Sequence, residues 1–177
     1  TETGMDASST YQDSLPVTSD ALMAGLDALG IGYARHDHVP LRTVADAKQV
    51  QDAMGAGLHI KNLYLRDRKK KNWLVTLEQD RDVDLKRLAE QIGTAGLSFG
   101  SEERLLENLG IRPGAVSPLA MVTGAKTGVT LVLDAAIRTA HSVHMHPLVN
   151  DRTVAMAPAD LLRWLDAIGC EPVWLEM

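Results

Sequence analysis

A lysine, Lys61, interrupts the apolar run from Ile60 to Leu65, and three histidines, His141, His144 and His146, fall close together further along. Imidazole is both a common metal ligand and the side chain that titrates near neutral pH, so the cluster offers two kinds of chemistry. His144 and His146 share one face of an expected strand, but two ligands do not make a metal site, and no carboxylate stands at a telling spacing nearby. Hydrogen-bonded or solvated imidazoles are the plainer reading. Strand alternation puts Lys61 on one face with Leu63 and Leu65, and Asn62, Tyr64 and Arg66 on the other. Such a lysine either snorkels to water or stands as a cation at the mouth of a pocket. Just beyond it, Arg66, Arg68, Lys69, Lys70 and Lys71 make a compact basic tip, which is either a solvated turn or a grip on phosphates. The fragment Gly124-Ala125-Lys126-Thr127 is not a phosphate loop, because its lysine does not follow a glycine directly and no upstream glycine has the required spacing. The H-E-x-x-H and G-x-G-x-x-G signatures are absent.

The elements that must position these residues follow from punctuation and periodicity. From Ser19, Leu22, Leu26 and Leu29 recur at helical spacing until Gly30. Tyr33 to Val39 reads as a strand stopped by Pro40, and Thr43 caps a helix running through Met54 to the Gly55–Gly57 breaker. His59 to Asp67 and Trp73 to Leu77 flank the charged turn Arg68 to Asn72 and form a hairpin. Asp84 caps a helix through Ile92, Leu97 to Gly100 is a short strand, and Ser101 caps a helix ending at Gly110. The loop Ile111 to Pro118 carries the turn signal Pro113-Gly114. Val129 to Asp134, Ser142 to Met145 and Thr153 to Met156 read as strands, with a polar turn at Asn150 to Arg152. Pro158 opens a helix with Leu161, Leu162, Leu165 and Ile168 on one face, and Pro172 to Leu175 is a final strand. Helices and strands mix without strict alternation, which predicts an α+β fold.

The 177 residues suit one domain with a sizeable core, and 45% hydrophobic against 23% charged residues excludes wholesale disorder. Residues 1–17 read as a disordered tail, with Thr1 to Gly4 appended ahead of a native Met5. The lone Cys170 excludes an internal disulfide and a cysteine-based zinc site. A net charge of -5 argues against indiscriminate polyanion binding, and seven scattered aromatic residues make no stacking platform. No apolar run reaches the roughly 20 residues of a membrane span and no secretory signal is evident, so a cytoplasmic location is expected.

Several segments occur in order: His59-Ile60-Lys61-Asn62-Leu63-Tyr64-Leu65-Arg66-Asp67, Leu97-Ser98-Phe99-Gly100, Leu109-Gly110-Ile111-Arg112-Pro113-Gly114-Ala115-Val116-Ser117-Pro118, and His146-Pro147-Leu148-Val149-Asn150 followed by Thr153. Together they resemble the prolyl-tRNA synthetase editing-domain superfamily, also called YbaK-like, and within it the free-standing alanyl-tRNA(Pro) deacylases known as ProXp-ala or PrdX. The resemblance spans Ala21 to Leu175. It implies an editing domain over residues 18–177, built as a mixed, largely antiparallel sheet curled into an open barrel with flanking helices. It puts the family lysine on Lys61 and the family histidine on His146 as catalytic residues. Gly114, Ala115, Val116, Ser117 and Pro118, with Met145 and Asn150, become the substrate-binding set, and Arg66, Arg68, Lys69, Lys70 and Lys71 the tRNA contacts. Two positions depart from the family pattern: Met145 stands where an aromatic residue is frequent, and Val122-Thr123-Gly124 replaces an Asn-containing segment.

The implied reaction is trans-editing of mischarged alanyl-tRNA(Pro), in which water attacks the ester assisted by a free ribose hydroxyl. It uses no metal, cofactor or covalent intermediate. The implied partners are aminoacylated tRNA(Pro) and prolyl-tRNA synthetase, with no DNA and no membrane. Two other readings stay open: a deacylase for cysteine or serine, and a catalytically silent tRNA-binding module.

Overall fold

The computed structural model describes residues 5–40 and 44–176, so the reading of Thr1 to Gly4 and the Thr43 cap lie outside the described residues. Helix α1 (Ser19–Ala28) begins where the Thr18 hydroxyl accepts from the Ala21 N–H, and it buries Leu22, Met23 and Leu26. Strand β1 (Tyr33–Asp37) and helix α2 (Val44–Met54) follow. Strands β2 (Ile60–Arg66) and β3 (Asn72–Glu78) form the expected hairpin. Helix α3 (Leu85–Ile92) is capped by Asp84 and stopped by left-handed Gly93, and α4 (Glu102–Leu109) by Ser101 and left-handed Gly110. The short strand β4 (Ser98–Phe99) lies between them. Two helices carry no sequence signal read above: α5 (Met121–Thr127) and the single turn α6 (Ala136–Thr139). Neither has a side-chain cap at its N-terminus. Strands β5 (Thr130–Asp134), β6 (Val143–Met145) and β7 (Arg152–Met156), helix α7 (Pro158–Ala167) and strand β8 (Val173–Leu175) complete the order.

The strands divide into two sheets, ordered β1-β7-β6 and β4-β2-β3-β5-β8. The first is antiparallel throughout; in the second, β3–β5 and β5–β8 are parallel. The mixed α+β class holds, but the open barrel does not, since neither sheet is closed. The isolated bridge Leu58–Val143, with Leu58 N–H donating to Ser142 O and His144 N–H to Leu58 O, ties β6 to the chain leading into β2. The glycine-rich run ahead of β2 supplies too few paired residues there to continue a ladder.

Alternation along the five-stranded sheet gives it two faces. Tyr64, Leu74, Leu131 and Leu133 enter the main core with α1, α4 and α7, whereas Leu65, Trp73, Val75, Leu77 and Val132 pack under Leu88 of α3. Among the described residues no helix is long and apolar enough to cross a membrane.

Of the segment expected to be a disordered tail, residues 5–17 are instead laid onto the fold. It forms a 3-10 turn over Ser9–Ser14, and Ala7, Ser8 and Leu15 are buried. The Ser9 N–H and hydroxyl both donate to Asp151, at 2.8 and 2.6 Å. Its polar composition hid these contacts because they are made to the β6–β7 turn, far away in the chain.

The hairpin tip is organised by the buried Asp67, whose carboxylate accepts from Thr94 Oγ1 (2.7 Å), Trp73 Nε1 (3.0 Å) and the Lys69 and Lys71 N–H groups (both 2.9 Å). Burial opposes ionisation, yet these hydrogen bonds hold the pKa down to about 2. Because the folded value lies below the unfolded one, the stabilisation is complete above about pH 5 and is lost as pH falls towards 2. Asp67→Asn should therefore lower stability at pH 7 by about 2 kcal/mol and flatten the acid limb of stability against pH. Urea denaturation of both proteins from pH 7 to 3 checks this, and identical pH slopes would contradict it.

Candidate active site

A small cleft opens between the two sheets. It has a volume of about 90 Å³ and is lined by Val50 and Gln51 of α2, His59, Ile60 and Asn62 of the β2 side, Val116, and His144, Met145, His146 and Thr153 of the β6–β7 side. Among the described residues that line it there is no carboxylate, arginine or lysine.

Asn62 joins three pieces of chain here. Its Oδ1 accepts from Thr76 Oγ1 on β3 at 2.6 Å, and its Nδ2 donates to the Val116 carbonyl at 3.0 Å. Both ends of the amide are thereby committed, and the loop before Pro118 is fastened to the sheet. The same loop turns at Gly114, whose φ of +94° disfavours a side chain and whose added Cβ would sit 3.3 Å from Asn150 Nδ2. Buried Ser117 caps the 3-10 turn Pro118–Ala120 by accepting from the Leu119 N–H at 3.1 Å. On its outer side the loop meets the N-terminal segment, where Arg112 donates to Ser14 Oγ at 2.8 Å.

His146 Nδ1 lies 2.9 Å from the Arg152 carbonyl. A carbonyl only accepts, so Nδ1 carries the hydrogen and Nε2 offers a lone pair. Burial pushes the ring's pKa below the ordinary 6.5, outweighing the Arg152 carbonyl, which favours the charged form. His146 is therefore a neutral acceptor at pH 7. His38 repeats the pattern: Nδ1 is 2.7 Å from the Val39 carbonyl and Nε2 is 2.8 Å from Thr153 Oγ1, with its ring 6.2 Å from that of His146. On the opposite wall, His59 and His144 meet edge to face at 4.6 Å, and His144 Nε2 is buried without a hydrogen-bond partner. Gly57 makes room for that ring, since a Cβ there would come within 2.4 Å of Nε2.

The cleft brings together Val116, Met145 and His146 of the residues expected from sequence. Ala115, Ser117 and Pro118 are buried behind it, and buried Asn150 donates its main-chain N–H to Ala7 O while its Oδ1 has no partner. Lys61 is on the other face of β2, with Leu63 and Leu65, and its ammonium donates to the Arg81 carbonyl. Arg66 ends β2, and Arg68 to Lys71 form the hairpin tip, with Lys71 Nζ 4.4 Å over the Trp73 ring. Arg68 is six residue steps along the hairpin from Asn62, which puts the cationic tip roughly 20 Å from the cleft.

Asn62 and Thr153 belong to the motifs that carry the resemblance but received no site role from sequence, and His38 was not singled out at all. The hairpin register, which pairs Asn62 with Thr76, was the available signal for the first. Nothing local announces that His38 meets Thr153 across 115 residues.

Comparison with known proteins matches residues 38–164 to the aminoacyl-tRNA editing domain. The chain is 35% identical over 150 residues to the prolyl-tRNA editing protein ProX of Acetoanaerobium sticklandii, covering 84% of this chain and 91% of that one. It is 36% identical over 157 residues to the mouse prolyl-tRNA synthetase associated domain-containing protein 1, covering 85% and 91%. Among solved structures, the hypothetical protein APE2540 superposes with a TM-score of 0.67 at 19% identity, covering 86% of this chain and 96% of its own, a likeness of fold. A candidate trans-editing enzyme for prolyl-tRNA synthetase superposes with a TM-score of 0.66 at 20% identity, covering 90% and 96%.

The His146 environment gives an expected outcome in NMR titration: a midpoint below 6.5 and a neutral form protonated on Nδ1. A folded pKa below the unfolded one makes its share of stability complete above pH 6.5 and lost as pH falls through the folded value. A midpoint at or above 6.5, or an Nε2–H tautomer, would contradict the neutral acceptor.

Proposed function

The chain belongs to the aminoacyl-tRNA editing domain family, and from that premise we propose that its cleft removes alanine from mischarged alanyl-tRNA(Pro). The protein is a trans-editing aminoacyl-tRNA deacylase, and its substrate class is mischarged tRNA. Water adds to the ester carbonyl, the acyl carbon–oxygen bond to the ribose breaks, and a proton passes to the leaving ribose oxygen, giving free amino acid and tRNA. The observation that carries the alanine reading is the size and neutrality of the cleft, walled by Val116, Met145 and His146. Close-packed walls exclude the larger pyrrolidine ring of proline by overlap, whereas a synthetic pocket made for proline rejects alanine only weakly.

Neutral His146 offers Nε2 to the attacking water or the assisting ribose hydroxyl. The loop from Gly114 to Pro118, fastened by Asn62, supplies preorganised backbone dipoles for charge that develops on the carbonyl oxygen. Lys61 contributes from the sheet edge. Its hydrogen-bond partner is a neutral carbonyl rather than a carboxylate, so exchanging that partner for a tRNA phosphate costs little. The hairpin cations Arg68 to Lys71, together with Arg66, grip phosphates further along the acceptor stem. A cytoplasmic site of action accords with this substrate, and prolyl-tRNA synthetase is the partner that such editing would serve.

The test is hydrolysis of alanyl-tRNA(Pro), prolyl-tRNA(Pro), alanyl-tRNA(Ala), cysteinyl-tRNA(Pro) and seryl-tRNA(Pro) side by side. Alanine should be lost quickly from tRNA(Pro) and proline retained. Rapid loss of proline would sink the small-pocket reading, and no release of any amino acid would leave a silent binding module. Lys61→Ala should slow the reaction about a hundredfold with an unchanged melting temperature, as for loss of one group that positions the substrate. Wild-type turnover in that variant would remove Lys61 from the mechanism. Neutralising Lys69, Lys70 and Lys71 together should weaken tRNA binding and reduce its salt dependence by about one unit of slope per lost contact. An unaltered slope would return the tip to a solvated turn.

A further inference from the structure

Thr153 is 5% exposed, lines the cleft and stands on β7, opposite His36 of β1. Its hydroxyl partner is His38, two residues beyond His36 and just past the end of β1, at 2.8 Å. With the His38 Nδ1–H engaged by the Val39 carbonyl, the uncharged form of the ring has only a lone pair at Nε2, and in that form the Thr153 proton goes to it. The Thr153 oxygen is left with lone pairs alone. A hydroxyl that ordinarily rotates between donor and acceptor is thus fixed as an acceptor on the wall of the cleft.

His146 Nε2, on the adjoining strand end, is a second fixed acceptor. Two acceptors, with no cation among the described lining residues, suit a ligand group that donates hydrogen bonds. An α-amino group does so whether protonated or not, and a carboxylate does not.

We propose that Thr153, held in its acceptor state by His38, recognises the α-amino group of the aminoacyl ester. The assignment rests on the deacylase reading of the cleft and adds to it a residue that tells aminoacyl from plain acyl esters. His38 acts through Thr153 and is a positioning residue. Size exclusion by Val116 and Met145 selects among amino acids, and Thr153 selects for the amine that all of them carry.

The experiment compares alanyl-tRNA(Pro) with propionyl-tRNA(Pro), which has the same carbon skeleton and lacks the amine. Wild type is measured against Thr153→Val, Thr153→Ser and His38→Leu. The readout is the ratio of kcat/KM for the two esters, in which the difference in their intrinsic reactivity cancels between variants. Thr153→Val should lower the ratio by about ten- to hundredfold, because the site loses the partner of a buried donor. Thr153→Ser should restore it, and His38→Leu should lower it by freeing the hydroxyl to rotate. Equal slowing of both esters by Thr153→Val would overturn the proposal and point to a part in the chemical step. An unchanged ratio in a folded Thr153→Val protein would also overturn it. A wild-type protein that hydrolyses neither ester would instead defeat the deacylase reading on which the proposal rests.

Discussion

The active-site geometry hangs on the side-chain amide of Asn62. Its oxygen takes the Thr76 hydroxyl and its nitrogen gives to the Val116 carbonyl, so one residue of the hairpin fixes the loop that closes the cleft. A half-buried amide satisfied at both ends is a rigid strut, while one deprived of either partner leaves a costly unpaired group. Everything around it is arranged to keep that strut in place. The β2–β3 register sets Asn62 beside Thr76, left-handed Gly114 brings the loop close, and the N-terminal segment holds Arg112 and Asp151 from outside.

Charge is separated along the same hairpin. At one end is the neutral cleft, whose histidines are kept uncharged by burial; at the other is a cationic tip organised by ionised Asp67. Two further charges join the hairpin to the parallel strands, since fully buried Asp134 of β5 accepts from Arg81 and from the Glu78 N–H. A polyanion can then be gripped at a distance from the acyl group, where a surplus of lysines would otherwise compete for the same small volume.

Sequence made the local elements legible where a cap and a left-handed glycine mark both ends. Asp84 with Gly93 and Ser101 with Gly110 bound α3 and α4 as read. Helix α5 ends at left-handed Gly128 but has no side-chain cap at its start, and α6 has neither mark; both are short, held by tertiary packing, and passed unread. Alternation correctly grouped Lys61 with Leu63 and Leu65, but it could not say which face of the sheet borders the cleft. That was decided by the parallel β3–β5 and β5–β8 pairings and by the place of α3. The resemblance carried by the Lys61, Gly114–Pro118 and His146 motifs reached the family and the reaction class. It did not reach the His38–Thr153 pair, which exists only once β1 lies beside β7.

The central claim is that the acyl group is held in the cleft between the sheets while Asn62 keeps its loop fixed. The most direct measurement is a crystal structure with a non-hydrolysable mimic of the substrate end, the alanyl amide of 3′-amino-3′-deoxyadenosine. The alanyl methyl should sit against Val116 and Met145, with its amine at Thr153 and the Asn62–Val116 bond intact. An alanyl group bound outside the cleft, or a loop released from Asn62 on binding, would contradict the account.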